Sequence, residues 1–333
     1  MVLENGKIID LMKFKIKQIA GDASFRNFYR IVSKKGSKII VLSEKEKYKN
    51  LVAYSAINQF LRSKNLITPK LYEYNFSKGI IIIEDFGDIS FYKLLTKKKN
   101  KFLIYKKMVD LLLKIQQIKP KGKIKTLNSK LHFIKKYSNK HLFEESNLFF
   151  DWYLPFFLSK KKSLSLKIKV NKILGRFYKN LKFPNSHFVH RDYHAQNLMK
   201  IGNKIGIIDS QDALIGNPAY DLVSLIDDVR IKTSNKLKNE IYNYYLNKKF
   251  KKKIKKNRFF LDDFNTLSIQ RSLKIIGIFS RLFIRDKKKK YLKFIPYTWK
   301  LLEMRMNSSA FFELRKIFDD NIPKKLRKKI LFK

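Results

Sequence analysis

The chain contains no cysteine, so disulfides, thiolate metal sites and cysteine nucleophiles are excluded. Glycine is scarce, 11 of 333 residues, and no full GxGxxG phosphate loop occurs. Acids are few as well: 27 Asp and Glu stand against 75 Lys and Arg, a formal net charge of +48. No apolar run approaches the ~18–20 residues needed to span a bilayer. The first residues, MVLENGKIIDLMKFKIKQI, carry acids and no signal-like apolar core. Together these absences point to a cytoplasmic, reduced setting.

A charge of this size ordinarily points to nucleic acid, a membrane surface or another polyanion. Here the lysines are spread over most of the chain beside abundant Ile, Asn and Phe. That pattern reads as compositional drift on solvated faces, and nucleic acid is not expected as a partner. What is present in quantity is apolar: 44% hydrophobic residues with 28 Phe, enough for real cores. At 333 residues the chain has room for two lobes, given domains of ~100–200 residues.

The chemistry concentrates in 187–221, HFVHRDYHAQNLMKIGNKIGIIDSQDALIGNPAYD. Two short apolar stretches, Leu198 with Met199 and then 205–208, read as strands. They present Asp192, Asn197 and Asp209 at neighbouring strand ends. Such a group suits phosphoryl transfer, in which one carboxylate takes the acceptor hydroxyl's proton while an amide and a second carboxylate hold Mg²⁺ on nucleotide phosphates. The spacing from Asp192 to Asn197 fits the kinase catalytic loop HRDxxxxN. His190 and Asp221 are expected to support that loop, and Asp221 also sits where an acid favours a helix start.

Along the rest of the chain, 3–19 is expected to form a leading helix. Residues 21–43 read as a hairpin, with strands near 25–32 and 38–42 turned at Lys35 and Gly36. Gly21, Ala23 and Ser24 approach it as a small-residue loop for phosphates. A helix over 46–64 has Leu51, Tyr54, Ile57 and Leu61 along one side. A second hairpin, 70–76 and 79–84, runs into a polar exit in which backbone groups near Glu84, Asp85 and Phe86 can pair with adenine. Residues 101–118 read as helix, 120–125 as loop, 141–158 as an aromatic-rich helical core and 165–181 as helix. The last third is helical, with lysine runs at 248–256 and 287–290 in loops or helix ends.

HRDYHAQN followed by IIDSQDALIGNPAYDL resembles the catalytic and metal segments of the aminoglycoside phosphotransferase and choline kinase branch of the kinase-like fold. GDASFRNFYR, IIIEDFGD, FFDWYL, HRDYHAQNLM, DSQDALIGNPAYDLVSLIDD and IQRSLKIIGIFSRL, in order from Gly21 to about Leu282, resemble the bacterial anomeric kinases of N-acetylmuramate and N-acetylglucosamine. The resemblance implies an α+β, two-lobed protein-kinase-like fold: a small, mainly antiparallel β lobe over 1–87 and a larger, mainly helical lobe over 88–333. It implies ATP as co-substrate, Mg²⁺ as cofactor, and phosphorylation of the C1 hydroxyl of an amino sugar in cell-wall sugar recycling. It also implies Glu145, Asp151, Asp212 and Arg271 as substrate contacts.

Two departures bear on function. Asp209 is followed by Ser210 and Gln211, not by the DFG glycine of protein kinases. The strand KIIVLSEK carries Leu42 and Ser43 where kinases place a lysine for the α- and β-phosphates, and the helix after it offers no obvious Glu partner beyond Glu46. Arg26, Arg30 or Lys38 is the expected replacement, with Arg30 carried forward among the ATP ligands. The alternatives are another hydroxylated acceptor, such as an aminoglycoside or choline, and a kinase-like binder of nucleotide or polyanion without catalysis.

Overall fold

The structure is a computed structural model that describes residues 15–19, 26–34, 36–43, 48–127, 130–251 and 254–328. In chain order the strands and helices begin with β1 (Lys15–Ile19), β2 (Arg26–Ser33), β3 (Gly36–Ser43), α1 (Tyr48–Arg62), β4 (Leu71–Asn75), β5 (Ile80–Glu84), α2 (Phe91–Lys97) and α3 (Lys101–Gln117). There follow β6 (Lys123–Lys125), β7 (Leu131–Phe133), α4 (Asn139–Leu148), α5 (Lys160–Lys179), β8 (His187–Val189), β9 (Leu198–Ile201), β10 (Lys204–Ile207) and β11 (Leu214–Gly216). The chain closes with α6 (Ala219–Ile226), α7 (Asn235–Phe250), α8 (Ile254–Asp286), α9 (Ile295–Arg305), α10 (Phe312–Asn321) and α11 (Lys324–Lys328). By backbone proximity the residues form two compact units: 1–104 with 117–135 and 190–214, and 105–116 with 136–189 and 215–333. This grouping carries the segment with Asp192, Asn197 and Asp209 along with the sheet.

The first unit is built on an antiparallel sheet in the order β1-β2-β3-β5-β4. Its alternation follows the two-residue period of a strand. Ile39, Val41, Ile81 and Ile83 pack with Leu51 and Tyr54 of α1, while Ile40 and Ile82 join Ile31 on the opposite face. The expected face of α1 is buried throughout, at Leu51, Tyr54, Ile57 and Leu61. The hairpin between β4 and β5 closes at Gly79, which has φ +68°, and a Cβ there would lie 2.1 Å from the Ser43 carbonyl oxygen. Only glycine fits that approach.

Two expectations are corrected here. Residues 15–19 are not helix but strand β1, because KIKQI pairs along β2 from Lys15 opposite Val32 to Ile19 opposite Phe28; the rest of the expected helix lies outside the described residues. The expected loop at 120–125 contains β6, which pairs with β7.

The second unit is helical. Its spine is α8, 33 residues long, whose buried Phe260, Phe264 and Leu267 recur at helical spacing. Against it pack α4, α6 and α9. The stretch expected as a helical core over 141–158 is helical but not uniform: α4 gives way to a π turn at Phe149–Tyr153 and a 3₁₀ turn at Leu154–Phe156, where Pro155 removes a backbone donor. Next to that change Gly277 of α8 meets the backbone of Leu148 so closely that a Cβ would lie 2.3 Å from its carbonyl carbon. Among the described residues no helix is long and apolar enough to cross a membrane.

Candidate active site

Hairpin register explains how Asn197 and Asp209 become neighbours. Leu198 and Ile207, both fully buried, stand opposite one another in the β9–β10 pair. That pairing sets Asn197 against Ile208, whose N–H donates to the Asn197 carbonyl at 3.1 Å, so Asp209 is the first residue past the ladder. The hairpin is pinned on both sides. Ile207 N–H donates to Ile67 O at 2.8 Å, and Lys200 N–H donates to Ile89 O at 2.8 Å. Gly206 lies under Phe86, and a Cβ there would come within 2.5 Å of the Phe86 ring.

The residues of the HRDxxxxN loop hold one another. The Asn197 amide nitrogen donates to the Asp192 carbonyl at 3.0 Å, which leaves its Oδ1 on the far side of the amide. His190 Nε2 donates to Ile208 O at 3.0 Å and thereby joins the loop to the exit of β10. Two non-glycine residues here adopt left-handed backbone angles, Arg191 at φ +72° and Asp209 at φ +66°. Such angles cost of order 1 kcal/mol or more and persist where the surroundings dictate them. At Asp209 the angle turns the chain sharply at the strand end.

Around Asp209 the structure places contacts that no local motif announces. Arg26 Nη2 donates to Asp209 Oδ1 at 2.6 Å, and Arg26 Nη1 donates to Gln211 Oε1 at 3.1 Å. Gln211 Nε2 donates to the same Asp209 oxygen at 3.1 Å. Ser210 donates to Asn58 Oδ1 of α1 at 2.7 Å in a buried bond. Burial lifts the Tyr54 hydroxyl to about 12, against the lowering effect of Asn58 and Arg26. Asn58 thus ties α1 to the residue that follows Asp209.

The nucleotide candidates fare differently. Gly21 and Ser24 lie outside the described residues. Arg30 is bound on two sides to Asp85, at 2.6 and 3.0 Å, and by a third bond to Asp88 at 3.0 Å. Burial would raise the Asp85 carboxyl, but hydrogen bonds from Arg30, Ser37 and the Gly87 N–H hold it below its ordinary value. Glu84 ends β5 with its N–H donated to Lys70 O at 2.8 Å, so the backbone outside the ladder begins at Asp85 and Phe86.

Of the four acceptor candidates, Asp212 belongs to the first unit. It is exposed, accepts from Gln211 at 3.3 Å, and its carbonyl accepts from Arg191 at 3.1 Å. The other three lie in the second unit. Glu145 is buried and its carboxylate is engaged by Lys274 at 3.0 Å, Gln270 at 2.9 Å and the Tyr137 hydroxyl. Arg271 is buried over the Tyr220 ring at 5.7 Å, and Tyr220 also donates to Glu145 at 3.5 Å. Asp151 stands apart at the surface, paired with Lys167 at 2.7 Å. Asp221 is buried in the first turn of α6.

Among the described residues no group of three or more His, Asp or Glu side chains is placed to hold a metal. The donors present are one amide oxygen and one carboxylate, on Asn197 and Asp209. That set fits Mg²⁺, a hard cation that commonly takes one or two protein carboxylates and fills its shell with water and substrate phosphates.

The model of the phosphotransferase enzyme family matches residues 15–252. An N-acetylmuramate/N-acetylglucosamine kinase of Caulobacter vibrioides is 27% identical over 83% of this chain and 76% of its own length. The protein of the same name from Neisseria meningitidis serogroup B is 25% identical over 85% of this chain and 83% of its own. Among solved structures, a Plasmodium vivax ethanolamine kinase superposes with a TM-score of 0.60 at 12% identity, covering 88% of this chain and 82% of that one. An ADP-bound aminoglycoside phosphotransferase superposes with a TM-score of 0.58 at 13% identity, covering 89% and 94%. These likenesses show a protein-kinase-like fold, with its five-stranded antiparallel sheet in the first unit and most of its helices in the second.

Proposed function

The chain belongs to the phosphotransferase enzyme family, and from that membership we propose that it is an ATP-dependent kinase of an amino sugar. Its acceptor in this reading is the anomeric C1 hydroxyl of N-acetylmuramate, N-acetylglucosamine or both. The observation that carries the reaction class is the β9–β10 register, which sets Asn197 and Asp209 side by side and ties Asn197 to Asp192. The acceptor is supported by the names of relatives aligned over more than four-fifths of the chain.

In this mechanism Asp192 orients the acceptor hydroxyl and takes its proton late, since a loose phosphoryl-transfer transition state asks for little base strength. Asn197, through Oδ1, and Asp209 hold Mg²⁺, which when bound neutralises charge on the ATP phosphates. His190 keeps the loop against the end of β10. The backbone at Asp85 and Phe86 takes the adenine, and Arg30 stiffens that exit through Asp85.

The test is ATP consumption with Mg²⁺ across N-acetylmuramate, N-acetylglucosamine, choline and kanamycin, followed by ³¹P NMR of the product. An anomeric sugar phosphate is expected. Turnover on choline or kanamycin alone would discard the amino-sugar acceptor and keep the reaction class.

A further inference from the structure

The strand that carries a phosphate-binding lysine in kinases has Leu42 and Ser43 in its place, and the register of the sheet identifies what stands there instead. Along β3, residues 39, 41 and 43 share the face that packs on α1, whereas 40 and 42 point to the other face. A cation directed toward α1 and Asp209 would therefore come from position 43. In the β2–β3 ladder, Ser43 is opposite Arg26. Directly paired residues of an antiparallel sheet project side by side on one face.

The Arg26 guanidinium lies 5.6 Å from the Phe28 ring and 6.0 Å from the Tyr54 ring, its side chain 11% exposed, and it ends on Asp209 Oδ1. The two other cations expected as replacements are directed elsewhere. Arg30 is held by Asp85 and Asp88, and Lys38 lies 4.6 Å over the Tyr72 ring.

We propose that Arg26 is the phosphate-binding cation of this site, taking over from the neighbouring strand the role that Ser43 cannot fill. The assignment rests on the nucleotide reading above. A guanidinium is suited to the task, because its planar fork of donors matches both carboxylate and phosphate oxygens. Asp209 Oδ1 and Gln211 Oε1 hold the fork at that acid. Mg²⁺ held by Asp209 would compete with the guanidinium for that carboxylate, and a nucleotide phosphate would be a further anion for the fork to bind.

The test is calorimetric titration of a non-hydrolysable ATP analogue with Mg²⁺ into the wild-type full chain, Arg26→Gln and Arg26→Lys, beside steady-state kinetics and a thermal melt of each. Loss of a charge-assisted phosphate contact should weaken analogue binding in Arg26→Gln by about tenfold or more. KM for ATP should rise while KM for the acceptor stays, and Arg26→Lys should recover part of the binding, because it restores the charge without the fork. Arg26→Gln binding the analogue with wild-type affinity overturns the assignment, as does equal loss of binding in the lysine and glutamine variants when both melt like wild type. Wild-type protein that does not bind the analogue at all instead overturns the nucleotide reading on which the assignment rests.

Discussion

Asp227 of the second unit offers the sharpest energetic test of the structure. Its carboxylate is 4% exposed and accepts from Lys238 Nζ at 3.0 Å, Arg305 Nε at 2.9 Å, Arg305 Nη2 at 3.0 Å and Ser268 Oγ at 2.7 Å. Asp227→Ala removes the one acid between two cations. Lys238, itself 3% exposed, keeps the Ile226 carbonyl at 2.6 Å but loses its carboxylate. Removing one partner of such a buried pair leaves an uncompensated charge and costs about 3–5 kcal/mol. With urea m-values of roughly 1–3 kcal/mol/M, the midpoint should fall by about 1–5 M. Both tryptophans, Trp152 and Trp299, belong to this unit, so tryptophan-selective fluorescence reports on it.

The pH dependence has a fixed sign. Burial by itself would raise the Asp227 carboxyl, but the charges of Arg305 and Lys238 and the bonds from Arg305 and Ser268 hold it well below its ordinary range. A folded value below the unfolded one means that the unfolded chain binds more protons, so this stabilisation is complete above about pH 5. It is lost as pH falls below about 4 toward the depressed folded value. The gap between wild type and Asp227→Asn should therefore narrow on acidification. An alanine variant within about 1 kcal/mol of wild type at pH 7, or a gap that widens below pH 4, would refute the reasoning.

Four further outcomes are expected. Asp192→Ala should reduce turnover by roughly 10²–10⁴-fold with an unchanged melting profile, measured by ATP consumption and calorimetry. Chelation of Mg²⁺ should abolish turnover, with recovery on adding it back, and Asp209→Ala should raise the Mg²⁺ concentration needed for half-maximal rate. Gly206→Ala should cost about 1–3 kcal/mol in chemical denaturation, because the Phe86 ring has to move to admit the methyl group. A double-mutant cycle on Arg30 and Asp85 should show coupling of about 0.5–3 kcal/mol, and additivity within error would mean that the ion pair does not stiffen the exit of β5.

Sequence alone carried far where the relevant contacts are local. Asp192, Asn197 and Asp209 lie within eighteen residues on one loop and one hairpin, and the apolar spacing that buries Leu198 and Ile207 also sets the register that joins them. The helix face of α1 and the two hairpins of the sheet were legible for the same reason, since periods of two and 3.6 residues are written in neighbouring positions. Strand β1 was misread as helix because KIKQI gains its conformation from β2 rather than from its own pattern. The break after Leu148 was likewise hidden until the approach of Gly277 was known.

What the sequence determined by itself was the class, a phosphotransferase, through an HRDxxxxN loop and a strand-terminal acid, residue types suited to phosphoryl transfer at a spacing set by a short hairpin. Only the tertiary structure decided which of the many cations meets that acid. Arg26 and Asp209 are 183 residues apart, and Ser210 and Asn58 are 152 apart. With 75 basic residues in the chain, charge alone selects none of them. The ladder of β2 on β3 does, because antiparallel register puts Arg26 beside the position that lacks its lysine and buries the stem that aims it.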